Sequence, residues 1–197
     1  MYLVRSFLTI AIVFSLFISC YSDDKNSGAG YKVGDKVSDF TITNYDGSTY
    51  TLSNNGGKAT VIVYLSTECP FVQPYTDRLI NLSKEFGANG VTLWGINSNK
   101  TEPTAEVKNH AQDKGYNFPV LKDENNVVAD QFGAARTPEV FVIDNSNMTV
   151  VYHGRIDDNK EADKVTSNDL QIALNEFLAG KSITTAETKA FGCSVKR

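Results

Sequence analysis

The sequence predicts one α/β domain with a mixed central sheet flanked by helices. Residues 59–66 (ATVIVYLS) and 91–97 (VTLWGIN) are near-continuous apolar runs, the pattern of strands covered on both faces. Between them Val72, Tyr75, Leu79, Leu82 and Phe86 recur at spacings of three and four, which places them on one helical face. Strand, helix and strand of these lengths make a βαβ unit with a parallel pair and a right-handed crossover. Further on, residues 140–144 (VFVID) and 149–153 (TVVYH) flank Asn145-Ser146-Asn147, an antiparallel hairpin. A sheet holding both units is mixed.

The elements follow in order. Arg5 precedes an uncharged apolar run over residues 7–18. As a helix this run would span about 18 Å, against about 30 Å of bilayer hydrocarbon. It therefore reads as the core of a signal peptide over 1–19. Residues 21–32 are polar and Gly/Ser-bearing, so 20–32 reads as a flexible tether behind Cys20. The domain runs over 33–180. Asp46-Gly47 and Asn54-Asn55-Gly56-Gly57 are turn signals bracketing short strand-like pieces at 40–44 and 48–52, an N-terminal β-hairpin. The helix is expected over 70–86. Pro70 suits its first turn, and Pro74 predicts a mild kink. Residues 102–114 and 126–132 read as further helices. Residues 167–179 form an amphipathic helix with Ser167 able to cap its start and Gly180 able to end it. Residues 181–197 lack a clear period and read as a tail carrying Cys193.

Composition narrows the function. With 41% hydrophobic and 21% charged residues, the chain has globular composition, which excludes wholesale disorder and a coiled coil. A net charge of −4 gives no electrostatic grip on nucleic acid. His110 and His153 have no cysteine or carboxylate at ligand spacing, so no metal is expected. No phosphate-cradling loop points to a cofactor, and Trp94 reads as core.

Three cysteines remain: Cys20, Cys69 and Cys193. Leu16-Phe17-Ile18-Ser19-Cys20 resembles a bacterial lipobox, with Phe17 where that motif usually has a smaller aliphatic residue. The resemblance implies cleavage before Cys20, its acylation, and lipid anchoring in the cell envelope. A plain signal peptide with an incidental cysteine is the alternative. Tyr21-Ser22-Asp23-Asp24 resembles the acidic tags that send some lipoproteins to the surface. Setting Cys20 aside leaves Cys69 and Cys193, an even pair in an exported chain, and so a redox pair to consider. Cys69 stands where a buried strand gives way to a helix. Free N–H groups and the helix dipole there stabilise a thiolate, which lowers the thiol pKa and makes it nucleophilic. An inert buried cysteine is the alternative.

The strand followed by Cys69-Pro70 and a helix, with Arg136-Thr137-Pro138-Glu139 opening a later strand, resembles the thioredoxin-like superfamily. Val33-Gly34-Asp35, Asp39-Phe40, Asp46-Gly47, Leu52 and Gly57-Lys58 are similar to the N-terminal extension of its redoxin branch, which includes alkyl hydroperoxide reductase and thiol-specific antioxidant proteins. Cys69-Pro70-Phe71-Val72, Tyr75, Arg78-Leu79, Gly154-Arg155-Ile156-Asp157-Asp158 and Gly192-Cys193-Ser194-Val195-Lys196 further resemble a group of redoxin-domain proteins whose substrates are not settled. The resemblance implies a thiol oxidoreductase acting on a protein disulfide or a peroxide, with an external thiol reductant. It implies a cis Thr137-Pro138 peptide facing Cys69, with the Thr137 backbone free to pair with an extended substrate. Arg136 could supply a cation to the thiolate, or be a solvated loop residue.

Two departures matter. Thioredoxins carry a second cysteine where this chain has Val72, so the local resolving thiol is missing. Cys193 could replace it if the tail folds back, or be a thiol without a role. Peroxiredoxins carry Thr at the position of Ser66 and Pro at that of Ile62, so a hydroxyl is kept and the proline lost. Three readings follow: a membrane-tethered thiol-disulfide oxidoreductase, a peroxiredoxin-like peroxidase, or a non-catalytic binding lipoprotein on the same scaffold.

Overall fold

The computed structural model describes residues 30–197; the expected signal peptide, Cys20 and the tether up to residue 29 lie outside the described residues. In chain order the elements are β1 (Thr41–Thr43), β2 (Thr49–Thr51), β3 (Ala59–Tyr64), α1 (Thr76–Gly87), β4 (Val91–Asn97), α2 (Thr104–Asp113), β5 (Val120–Lys122), α3 (Val127–Phe132), β6 (Arg136–Thr137), β7 (Glu139–Asp144), β8 (Thr149–Gly154), α4 (Asp169–Leu178) and β9 (Cys193–Ser194).

The central sheet has the order β5-β4-β3-β7-β8. β3 runs parallel to β4 and antiparallel to β7, so the expected βαβ unit and hairpin share one mixed sheet. Alternation along the strands divides the core in two. Val61, Val63, Leu93, Val140 and Val142 face a cluster with Leu79 of α1, Val107 of α2 and Leu170 of α4. Ile62, Tyr64, Trp94, Ile96, Phe141 and Ile143 face a second cluster with Ile42, Leu52 and α3. Phe132 is the hub of that second face. Its ring lies 5.1 Å from those of Tyr31 and Phe141 and 5.8 Å from Phe40.

The structure departs from the sequence expectations at several places. The α-helix begins at Thr76 and not at Pro70. The chain first turns at Cys69, whose carbonyl accepts from Val72 N–H at 2.9 Å, and then winds as a 3-10 turn over Gln73–Tyr75. Pro74 has no N–H to donate, so the tighter winding replaces the expected kink. Strand β5 escaped prediction because three residues are too few to show a period. Asn168, without a side-chain bond, occupies the cap position of α4, and Ser167 Oγ donates instead to Asp169 at 2.8 Å. Tyr31, read as tether, is buried, and its hydroxyl accepts from Ser38 N–H at 2.9 Å.

The tail is the largest departure. It is not an appendage but a strap fastened along its length. Upstream, His153 N–H donates to Ala186 O and Thr188 N–H donates to His153 O, both at 3.0 Å. Gly154, at φ +152°, permits this approach, because a Cβ there would lie 2.0 Å from Thr188 Oγ1. Downstream, Val195 is buried in the second core cluster and Lys196 N–H donates to Asn99 Oδ1 at 2.7 Å.

Candidate active site

The site lies where the carboxyl ends of β3 and β4 meet the start of β7. Tyr64 pairs with Glu139 in the register, so the Thr137-Pro138 peptide stands beside the chain leaving β3. That peptide is cis. Cys69 is 2% exposed, and its Sγ–H donates to Thr137 O at 3.2 Å. Strand β9 pairs antiparallel with β6, with Thr137 opposite Cys193. This pairing brings Cys193 beside Cys69, packed on the core cluster that holds it. Both cysteines are free thiols.

The two thiols are polarised in opposite directions. Burial pushes Cys69 up, but the hydrogen bond from the Cys193 thiol, followed by the pull of Thr137 and of the Cys193 and Phe71 N–H groups, outweighs it and leaves Cys69 below an ordinary thiol. The Thr137 hydroxyl is buried without another partner. Cys193 is pushed up to about 11 by burial, then by its hydrogen bond to Cys69 and by the Cys69 charge. Of the two, Cys69 is therefore the thiol that gives up its proton more readily.

The remaining expected residues fall into place with corrections. Ser66 Oγ accepts from Cys69 N–H at 3.1 Å and donates to Glu102. It shapes the Cys69 turn through these two bonds. Arg136 is exposed, and it is not among the leading causes of the lowering of Cys69. Its backbone N–H donates to Glu139 at 2.7 Å, and its side chain lines an open depression with His153 and Glu187. Pro138 is buried. The backbone of Thr137 is occupied by β9, not free as the resemblance implied. Phe71 N–H is the turn amide among the leading causes, and α1 begins only at Thr76, seven residues after Cys69.

Two networks were not read from the sequence. Glu102, 1% exposed, accepts from Ser66 Oγ, Thr67 N–H, Asn97 Nδ2 and Asn99 Nδ2. Burial pushes its carboxyl up, but these donors, Ser66 first, hold it below the usual range. It joins the Cys69 turn to the end of β4 and, through Asn99, to the tail. The second network explains the Tyr75, Arg78 and Asp157 positions. Asp157 is buried and accepts from Tyr75 OH at 2.8 Å and from Arg78, whose guanidinium lies 3.8 Å over the Tyr75 ring. It ties the start of α1 to the loop after β8. The sequence held one signal for it, a polar Arg-Ile-Asp-Asp run after an apolar strand.

A family model described as the AhpC/TSA family matches residues 33–153. The chain belongs to the AhpC/TSA family. Among curated relatives, thiol-disulfide oxidoreductase ResA of Geobacillus thermodenitrificans is 23% identical over 144 residues, covering 72% of this chain and 80% of that protein. Among solved structures, an uncharacterized conserved protein from Geobacillus kaustophilus is 31% identical with a TM-score of 0.78, covering 86% of this chain and 94% of that one. A hypothetical protein from Sinorhizobium meliloti 1021 is 30% identical with a TM-score of 0.76, covering 86% and 96%. As an AhpC/TSA member with these relatives, the chain is a thiol-based oxidoreductase on a thioredoxin-like fold. The family match ends at residue 153, so it leaves out the tail that carries the second thiol.

Proposed function

We propose that the chain is a lipid-anchored, extracytoplasmic thiol-disulfide oxidoreductase whose redox couple is Cys69 and Cys193. The observation that carries this reading is the β6–β9 pairing, which sets Cys193 opposite Thr137, whose carbonyl lies 3.2 Å from Cys69 Sγ. The Cys69 thiolate attacks one sulfur of a substrate disulfide. The substrate S–S bond breaks, a Cys69 mixed disulfide forms, and the first substrate thiolate leaves and takes up a proton. Cys193, as its thiolate, then attacks the Cys69 sulfur and expels the second substrate thiol. The substrate gains two electrons, and the protein is left with a Cys69–Cys193 disulfide. An external dithiol returns both electrons.

Cys193 thus takes the part that a neighbouring cysteine would play at Val72. Its high pKa suits the order of events, because it stays protonated and supports the Cys69 anion until that anion is consumed. Peroxide remains the second substrate class. The Ser66 hydroxyl is committed to Glu102 and the Cys69 N–H, which favours disulfide exchange. Anchoring rests on the resemblance of the segment ending at Cys20 to a lipobox.

The test is an insulin-reduction assay beside stopped-flow peroxide consumption. Cys69→Ser is expected to abolish turnover. Cys193→Ser is expected to leave a trapped Cys69 adduct, and the oxidised wild type a 69–193 linkage by mass spectrometry. Peroxide consumption without insulin reduction would replace this reading with a peroxidase. Equal loss in both variants with no adduct would overturn the roles. Metabolic labelling with a fatty acid, lost in Cys20→Ala, tests the anchor.

A further inference from the structure

Strand β6 is two residues long, and within its sheet it is paired by β9 alone. Were β9 absent, the Thr137 backbone would present an unpaired edge at the reactive sulfur, since Thr137 O is 3.2 Å from Cys69 Sγ. An unpaired strand edge recruits an extended chain. β9 is such a chain, and it sets a cysteine opposite Thr137, packed on the cluster that holds Cys69. Gly192 makes the fit possible. Its φ is +145°, and a Cβ would lie 2.1 Å from Thr137 O and 3.3 Å from Pro138 Cδ. Phe191 stacks edge-on against Phe71, beside Cys69 in the chain, with ring centroids 6.4 Å apart. The strap covers the sulfur and fills the edge together.

We infer that β9 is a self-supplied occupant of the substrate edge, so that the tail sorts substrates by shape. While β9 is paired, Cys69 is open only to compact disulfides or oxidants. An extended polypeptide disulfide docks on β6 only after β9 unpairs, and re-pairing of β9 then brings Cys193 to the mixed disulfide and displaces the polypeptide. Resolution and product release are one strand exchange. The inference rests on Cys69 as the attacking thiol.

The experiment uses Cys193→Ser, which keeps the tail and removes resolution. Two probes share a leaving group: dithiobis(nitrobenzoate), which is compact, and the mixed disulfide of a short extended cysteine peptide with thionitrobenzoate. In both, Cys69 attacks and thionitrobenzoate is released and read by absorbance. Adding Gly192→Ala should dislodge β9 and raise the peptide-to-compact rate ratio about tenfold, the effect of losing a competing pair of backbone hydrogen bonds. Limited proteolysis at Lys189 reports whether the tail has left; if it has not, a chain ending at Ala190 takes the place of Gly192→Ala. A released tail with an unchanged ratio, both probes accelerating equally included, overturns the inference. Failure of Cys193→Ser to release thionitrobenzoate from either probe overturns the reading of Cys69 instead.

Discussion

Cys193 is the neighbour that contributes most to lowering the Cys69 pKa. Replacing Cys193 by alanine removes that donor. The expected outcome is a rise in the Cys69 midpoint, measured as the pH dependence of iodoacetamide alkylation. The sign follows from the cause, since the thiolate loses support and the thiol does not. Arg136→Ala is expected to leave the same midpoint unmoved, because Arg136 is not among the leading causes of the lowering. A drop in alkylation rate at neutral pH in that variant would restore the cation role that the sequence offered. At this scale Cys69 was legible as the candidate nucleophile because strand and helix patterns bracket it. Cys193 was legible as a candidate partner from the cysteine count, but its reach was not, because the two are far apart in the chain and nothing local records their proximity.

Between the elements, Glu102 is the joint on which the Cys69 turn depends. It gathers donors from the end of β3 and the end of β4 while 1% exposed. Glu102→Gln keeps the shape but replaces an acceptor with an amide that must also donate. A loss of about 1–3 kcal/mol is expected from the unsatisfied partners, measured by urea unfolding at neutral pH. The pH dependence has a definite sign. The carboxyl is held below its unfolded value of about 4.3, so its stabilisation is complete above that value and is lost as pH falls through the lower, folded one. The variant should therefore show a shallower acid limb than the wild type; parallel limbs would mean that the carboxylate is not what the donors hold. Glu102 sits in the sequence as one acid among many at the foot of a polar helix, so its burial was invisible there. The start of α1 illustrates the reverse case. Leu79 and Phe86 marked the correct helical face, and only the first turn was misplaced, because Pro70 is compatible with a helix start without compelling one.

For the whole molecule, the two-sided sheet follows from alternating apolar residues along β3, β4 and β7, and Phe132 is the point at which one side closes. Phe132→Ala is expected to cost about 3–5 kcal/mol, as for other large core truncations, measured by thermal and denaturant unfolding. A loss under 1 kcal/mol would mean that the aromatic cluster repacks. The α/β class, the βαβ unit and the antiparallel hairpin were written in the sequence, because period and composition act over the same short range as strands and helices. The tail's course was decided by tertiary structure alone. Residues 181–197 carry no periodic signal, since their partners include Gly154 on β8, Thr137 on β6 and Asn99 just past β4. A strap held by distant backbone groups leaves only a glycine where the approach is closest and a small apolar side chain where it ends.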